Sequence, residues 1–256
     1  MTSMSDTRRP APSLGGIYAR ESWAEIKKSW RLPQFILPSV ALPVAFYGLF
    51  GIVLAQGGAD TATYMLATYG VFAAIGTSLF GFGVGVAAER EAGLIELKRV
   101  TPMPIGAYLA AKVAASLAVT AVTLAGLYML AGYSGVGLPA GRWAGMAALH
   151  LLSVIPFALI GLGIGLCLRS NGAVAVANIL FLSFSVLGGL WFPIAALPAW
   201  IGQIAWALPS YHLAELALMT AAVERPFAAA AHIAALAGIT VAAALFAAWA
   251  WRRNPA

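Results

Sequence analysis

Apolar residues fall into six long runs along this chain. The runs cover residues 34–55, 62–88, 108–131, 143–167, 173–192 and 228–251. A helix needs about 18 or more mostly apolar residues to cross roughly 30 Å of hydrocarbon, and each run is long enough. The pattern predicts an all-α membrane protein with six transmembrane helices, which we call spans one to six.

The composition supports the same interpretation, since 61% of the residues are hydrophobic and only 9% are charged. A soluble domain could not keep so many apolar side chains away from water. The first 33 residues contain no apolar stretch typical of a cleaved signal peptide, so we expect span one to direct insertion. The single cysteine, Cys167, excludes an intrachain disulfide and is expected to fill apolar space.

The basic residues are distributed unevenly between the two sides of the predicted membrane. Of the 15 Lys and Arg residues, only Arg142 and Arg225 lie on the side opposite to the termini. Because positive residues favour the cytoplasmic side, we expect both termini in the cytoplasm. The net charge of +6 then reflects topology and not nucleic-acid binding. Lys112, near the start of span three, is expected to extend its long side chain to the lipid headgroups.

The segment before span one, residues 1–33, is predicted to be a cytoplasmic tail with an amphipathic helix. Trp23, Ile26 and Trp30 recur at spacings of three and four, and charged residues occupy most of the remaining positions. Such a helix is typical of the membrane interface, although a solvated linker is the alternative. Residues 34–256 would then form the six-span domain.

Residues 193–227, between spans five and six, are too apolar for an ordinary external loop. Pro198 and Pro209 divide the segment into pieces that are too short to cross the bilayer. We expect an outer re-entrant helical hairpin; the alternative is a seventh span, which would place the C-terminus outside. Three aromatic residues are expected at the outer interface: Trp200, Trp206 and Tyr211.

A charged stretch follows span two and holds six charges between Glu89 and Arg99. After Gly93, Leu94 and Leu97 mark one face of a short helix, and the prolines at 102 and 104 end it. The pattern predicts an amphipathic helix that projects into the cytosol and is held by a partner. A solvated connection is the alternative.

Two stretches carry a resemblance to a known family: EREAGLIELKRVTPMPIGAYLAAK at 89–112 and GGLWFPIAALPAWIGQIAWALPSYHLAELAL at 188–218. They resemble the transmembrane permease of type-2 ABC exporters. The resemblance implies a homodimeric permease driven by two copies of a cytosolic ATP-binding subunit, which would hold the ATP and Mg²⁺. It also implies that residues 89–102 form the coupling helix. The residues expected to couple the two subunits are Glu89, Arg90, Glu91, Gly93, Leu94, Glu96, Leu97 and Arg99.

The resemblance further implies location in a bacterial-type cytoplasmic (inner) membrane, in contact with lipid, and export of an amphiphilic or hydrophobic substrate. It places spans two and five beside the dimer axis, so their polar and aromatic residues are candidates for the substrate path. These residues are Tyr69, Phe72, Phe80, Asn178, Phe181 and Ser185. Core packing is the alternative role for each of them.

The chain lacks a P-loop, because none of its four lysines follows a glycine as that motif requires. We therefore expect that it does not supply the ATP-binding site. The glycine-rich stretches 81–86 and 161–166 lie inside apolar spans and not in a strand-turn-helix unit, which argues against dinucleotide binding. We expect them to let helices pack closely; a flexible hinge is the alternative.

A membrane-embedded enzyme that uses His150, His212 or Glu215 is a rival function, and a helical scaffold without transport is another. His212 and Glu215 are three residues apart and could bind a metal or relay a proton. No third ligand lies near them in sequence, so we expect a pair on the helix surface at the outer interface. We therefore predict no catalytic residues, no metal and no cofactor bound by this chain.

Overall fold

The computed structural model describes residues 13–54, 58–100 and 103–253, apart from the side chain of Arg99. Every regular element in these ranges is a helix, and six helical segments are long and apolar enough to cross a membrane. The six segments are Pro33–Val53, Gly58–Glu91, Ile105–Tyr133, Ala140–Cys167, Ser170–Leu187 and Ala229–Arg253. The prediction of an all-α membrane protein with six spans is confirmed.

The helices follow one another along the chain with short connections. Before span one lies α1 (Leu14–Trp30); span one is α2 (Pro33–Phe46) with a π-helical end, Tyr47–Val53. Span two comprises α3 (Gly58–Ser78), a π-helical segment at Leu79–Val84 and α4 (Gly85–Glu91), and the short α5 (Leu94–Arg99) follows. The remaining helices are α6 (Ile105–Tyr133), α7 (Ala140–Leu152), α8 (Val154–Cys167), α9 (Ser170–Leu187), α10 (Ala199–Ala205), α11 (Pro209–Thr220) and α12 (Ala229–Arg253).

We call the end of the bundle that carries α1, α5 and the last turn of α12 the basic end. Ser13 caps α1 by accepting a hydrogen bond from the backbone N–H of Gly16, at 3.2 Å. The helix then packs lengthwise on α6. Trp23 and Trp30 remain exposed, while the face of α1 that carries Glu25 is buried against the bundle. The first helix therefore packs on the bundle through its charged face and leaves its two tryptophans exposed.

Prolines lie inside spans one and four, and one of them accompanies a break in the helix. Pro156 lies in the first turn of α8, directly after the break between α7 and α8 at Ser153. Without an N–H, it cannot donate to the carbonyl one turn earlier, which accounts for the interruption of span four. Pro38 and Pro43 instead lie inside a continuous α2. The irregular part of span one comes after them, in the π-helical segment.

The two glycine-rich stretches pack against each other. A Cβ at Gly161 would lie 3.1 Å from the backbone nitrogen of Gly83, and one at Gly165 would lie 2.6 Å from the Gly83 carbonyl oxygen. Spans two and four therefore approach through their backbones, at the π-helical segment of span two. The expected close packing is confirmed.

The segment between spans five and six enters the end of the bundle opposite to the basic end. In α11, the residues 209–218 are all buried, and the helix packs against α3, α7, α9 and α12. Tyr211 is among these buried residues, so the expectation that it lies at the lipid interface is wrong. Trp200 is exposed and Trp206 half-buried. Cys167 is exposed at the end of span four and does not fill the core.

Substitution of Gly165 by alanine should destabilise the bundle. The new methyl group would meet backbone atoms of Phe82 and Gly83, which cannot rotate away, and such overpacking costs about 1–3 kcal/mol. Thermal unfolding of the purified chain should therefore occur at a lower temperature. Gly238→Ala, which adds a methyl group in open space on α12, is the control and should leave the midpoint unchanged or higher. Equal midpoints for the two variants would contradict close packing at Gly165.

Candidate functional site

The candidate site is the basic end of the bundle, where span two passes into α5. Gly93 joins α4 to α5 with a φ of +69°, a left-handed conformation that glycine adopts without strain. Ile95 turns inward and is buried, whereas Leu94 and Leu97 are 43% and 61% exposed. Glu96 is exposed as well. The short helix thus presents an apolar and acidic surface away from the spans.

Directly beneath α5, a buried ion cluster joins α1, span two and α6. Glu89 is 6% exposed and Lys112 is 4% exposed. The Lys112 ammonium donates to Glu89 Oε1 at 2.8 Å and to Glu25 Oε1 at 2.6 Å. Tyr108 donates its hydroxyl to Glu89 Oε2 at 2.7 Å, and Lys28 also pairs with Glu89. We call Glu25, Lys28, Glu89, Tyr108 and Lys112 the ion cluster.

The ion cluster is electrically balanced, because its two ammonium groups face two carboxylates. Burial by itself lowers the pKa of the Lys28 ammonium, but the hydrogen bond to Glu89 and the field of Glu25 outweigh it. The net pKa of Lys28 therefore lies above its ordinary value. Lys28 therefore stays charged near neutral pH, and each of the two buried carboxylates lies within ion-pair distance of a lysine ammonium.

Arg90 and Glu91 connect the exit of span two with spans four and five. Arg90 donates to the backbone carbonyls of Leu166 and Leu168, the latter at 2.7 Å. These carbonyls lie at the end of α8, where helix carbonyls lack partners within the helix. Ser170, the first residue of α9, donates its hydroxyl to the Glu91 carboxylate. The same three-residue stretch thus contacts α1, α6, α8 and α9.

A second ion pair ties α5 itself to the first helix. Lys98 pairs with Glu21 of α1, and its ammonium lies 4.9 Å from the centre of the Tyr108 ring. The pair is partly exposed, so its contribution to stability is small. The pair lies on the side of α5 that meets α1, while Leu94 and Leu97 are exposed.

The structure corrects one expectation about a charged residue. Lys112 does not reach the headgroups but is buried in an ion cluster, so that prediction is wrong. Of the predicted coupling residues, Glu89 is buried and bonded to Lys112, and the half-buried Arg90 is bonded to the end of α8. Of the other predicted coupling residues, Glu91, Gly93, Leu94, Glu96 and Leu97 are exposed, while the Arg99 side chain and residues 101 and 102 lie outside the described residues.

Sequence reasoning missed Glu25, Lys28 and Tyr108 as members of this site. A signal was present, because Glu21, Glu25 and Lys28 recur at spacings of four and three on α1. Such spacing places them on one face of a helix. In the structure, this face packs on the bundle, where Glu25 meets Lys112 and Lys28 meets Glu89.

Four of the six residues predicted for the substrate path form one aromatic cluster between spans two and five: Tyr69, Phe72, Phe80 and Phe181. The Phe181 ring is 5.0 Å from Phe72 and 5.8 Å from Phe80, and Phe72 is 6.0 Å from Tyr69. Ser185 donates to the carbonyl of Phe181 and Asn178 to that of Val174, each within α9. Phe46 and Trp191 complete the aromatic cluster and were not predicted.

His212 and Glu215 lie inside the bundle, so the expectation of a surface pair is wrong. Glu215 accepts two bonds from the Arg225 guanidinium, and this pairing raises the pKa of Arg225. His212 Nε2 donates to the carbonyl of Trp206 at 2.9 Å. In the neutral ring its Nδ1 then accepts a bond from Nδ1 of His232, 3.0 Å away on α12.

His150 is also buried and bonded within the chain. Its Nε2 lies 3.0 Å from the carbonyl oxygen of Ala67, and its Nδ1 lies 3.2 Å from the Tyr128 hydroxyl. Both ring nitrogens thus have protein partners. Within the part of the chain that the structure describes, no group of three or more His, Cys, Asp and Glu residues could hold a metal ion.

Replacement of Lys112 by methionine should strongly destabilise the chain. Removal of one partner from a buried ion pair leaves an uncompensated carboxylate and costs about 3–5 kcal/mol. We expect a lower yield of monodisperse protein in detergent and a lower midpoint of thermal unfolding. The double variant Lys112→Met with Glu89→Gln removes one charge of each sign and should recover much of the loss. A Lys112→Met chain as stable as the wild type would contradict a buried cluster.

Comparisons with known proteins agree with this architecture. Residues 21–221 match the family model of the ABC-2 type transporter, a stretch that begins in α1 and ends after α11. The chain is 27% identical over 200 residues to the Bacillus subtilis (strain 168) protein named "Putative transport permease YvfS", covering 77% of this chain and 82% of that protein. The matched region contains the ion cluster, α5 and both stretches that carry the resemblance. This multi-pass membrane protein therefore belongs to the ABC-2 type transporter family and is a permease subunit of that family.

Proposed function

We propose that the chain works as a homodimer with two copies of a separate ATP-binding subunit. The complex exports an amphiphilic or hydrophobic substrate from the cytoplasm or the inner leaflet of a bacterial-type inner membrane. ATP and Mg²⁺ are bound by the partner subunit, and both termini of this chain are cytoplasmic. The observation that carries the proposal is α5: a short helix with exposed leucines, fixed at its base by buried ion pairs.

The exposed surface of α5 suits a protein partner. Leu94 and Leu97 lie beside the exposed carboxylate of Glu96, and Gly93 turns the helix away from span two. Apolar side chains next to a charge favour a cleft that excludes water at its centre and offers a cation at its rim. Residues 89–102 remain the proposed coupling helix, with the exposed residues making the contact.

Glu89 and Arg90 have a different role in this proposal. Glu89 bonds to α1 and α6, and Arg90 bonds to the end of α8, so movement of α5 is passed to these helices. The cluster moves as one body, because separation of any buried ion from its partners is unfavourable. Closure of the ATP-binding subunits would thereby shift spans two, three and four together.

The aromatic cluster supports an apolar substrate path. Tyr69, Phe72, Phe80 and Phe181 form a surface between spans two and five that offers few hydrogen-bonding groups. On α9 the neighbouring Ile179 and Leu182 are exposed, as is Asn178. In the proposed homodimer, a second copy of the chain would cover this side of α9 and place the path at the centre of the dimer. The three residues on which the enzyme alternative rests, His150, His212 and Glu215, are each buried and bonded within the chain.

The double variant Leu94→Ser with Leu97→Ser should separate folding from coupling. Both side chains are exposed, so the unfolding midpoint of the permease should stay unchanged. Burial of a leucine contributes about 1.5–3 kcal/mol, so affinity for the ATP-binding subunit that co-purifies with the wild type should fall at least about tenfold. Co-purification and stimulated ATP hydrolysis in nanodiscs measure this loss.

Matched charge reversals provide the control for that experiment. Glu96→Lys should also weaken the association, whereas Glu224→Lys makes the same change on an exposed residue at the opposite end of the bundle and should not. Wild-type association of both the leucine and the Glu96 variants would contradict α5 as the contact. Failure of any ATP-binding subunit to co-purify with the wild type would contradict the proposed function itself.

Labelling of single cysteines should show the orientation of the bundle. In a Cys167→Ser background, cysteines at Asp60, Gly137 and Ala196 should react with an impermeant thiol reagent added to intact cells. Cysteines at Glu96 and Arg252, which are exposed at the basic end, should react only after the membrane is opened. Reaction of the Arg252 position from outside would overturn the proposed cytoplasmic C-terminus.

A further inference from the structure

We propose that the bend between α1 and span one binds the phosphate headgroup of an anionic phospholipid. A cavity of about 410 Å³ lies at this bend and is lined by Ala24, Lys27, Lys28, Arg31 and Leu32. Binding sites for small molecules commonly have volumes of roughly 300–1,000 Å³, so the cavity can accommodate a headgroup. Three of its five lining residues carry a positive charge, so the cavity favours an anionic ligand.

Two of the three cations that line this cavity have no carboxylate partner among the described residues. Lys28 pairs with Glu25 and Glu89, but among the described residues no carboxylate pairs with Lys27 or Arg31. The Lys27 ammonium lies 5.2 Å from the centre of the Trp23 ring, a contact that leaves its charge in place. Lys27 and Arg31 lie one helical turn apart and line the same cavity, so both can donate charge-assisted hydrogen bonds to the oxygens of one phosphate group.

The position of the cavity favours a lipid over a soluble anion. Leu32 lines it, and Pro33 directly after begins span one, so the cavity lies where the chain enters the bilayer. Trp23 and Trp30 are exposed on the same helix, as expected for rings at headgroup level. A headgroup bound between Lys27 and Arg31 would extend its acyl chains beside span one.

Lys28 links this cavity to the ion cluster. Its ammonium has three N–H donors, lines the cavity and pairs with Glu25 and Glu89. A bound phosphate would therefore share Lys28 with the cluster and hold α1 in the position that keeps Glu21 paired with Lys98. The effect on Glu21 and Lys98 rests on the proposed function, because it makes lipid charge a modulator of coupling. The binding site itself does not rest on the proposed function.

Native mass spectrometry of the full chain in detergent tests the site with two lipid probes, dioleoylphosphatidylglycerol and dioleoylphosphatidylcholine. The wild type should retain the phosphatidylglycerol in preference. Each cation near an anionic headgroup contributes about a fivefold gain in affinity, so Lys27→Gln with Arg31→Gln should lower retention about twenty-five-fold. The control, Arg20→Gln with Arg252→Gln, removes two exposed cations of the basic end that do not line the cavity. It should retain the lipid as the wild type does.

Three outcomes would overturn the site: equal loss in both double variants, equal retention of the two lipids, or displacement of the lipid by millimolar inorganic phosphate. Equal loss would indicate diffuse attraction to the surface, and displacement would indicate a site for a soluble anion.

The link to coupling is measured separately, in nanodiscs with and without phosphatidylglycerol. The wild-type complex should hydrolyse ATP faster with the anionic lipid, and the Lys27 and Arg31 double variant should lose this difference while it still binds the ATP-binding subunit. If the double variant lost its binding to the ATP-binding subunit, Lys27 and Arg31 would belong to the contact with that subunit, and the link between lipid and coupling would be contradicted.

Discussion

The basic end of this protein depends on one interaction, the contact of Lys112 with Glu89 and Glu25 inside the bundle. Charges placed where water is scarce are stable only when each has a partner, so the three helices that supply them cannot separate independently. The surface of α5 and the first helix are held in place by that requirement. Apolar packing alone would let these helices slide, because lipid offers no penalty for exposing a leucine.

Spans two and four are held by a contact of a different physical kind. Gly161 and Gly165 lie against the backbone of Gly83 without any side chain between them. This contact relies on shape and dispersion forces, whereas the ion cluster relies on charge. The π-helical turn at Leu79–Val84 lies at the same level. One contact fixes the distance between two spans, and the other fixes the rotation of the helices at their end.

The spans were predictable from sequence because their signal is local: a long apolar run has to become a helix in lipid, where the backbone has no other partner. The position of α5 was likewise predictable from Gly93 and the prolines that follow. The partners of Glu89, Lys112 and His212 were not, because each lies on another helix, and the partner of Glu215 was not, because Arg225 lies in the connection after α11. A lysine near the end of a span looks the same in sequence whether it meets headgroups or a buried carboxylate. Only the packing of α1 on α6 distinguishes the two.

The burial of α11 has a consequence for the order in which the chain is assembled during synthesis. His212 obtains the partner for its Nδ1 from His232, and Glu215 obtains its cation from Arg225, both of which are made later. Until Arg225 is made, α11 would carry the Glu215 carboxylate without its cation, and until span six is made, Nδ1 of His212 would lack its bond to His232. The helix therefore completes its docking last, together with the C-terminal span. Span six thus completes the packing of the bundle, whereas α1 can join span three earlier through the pair of Glu25 and Lys112.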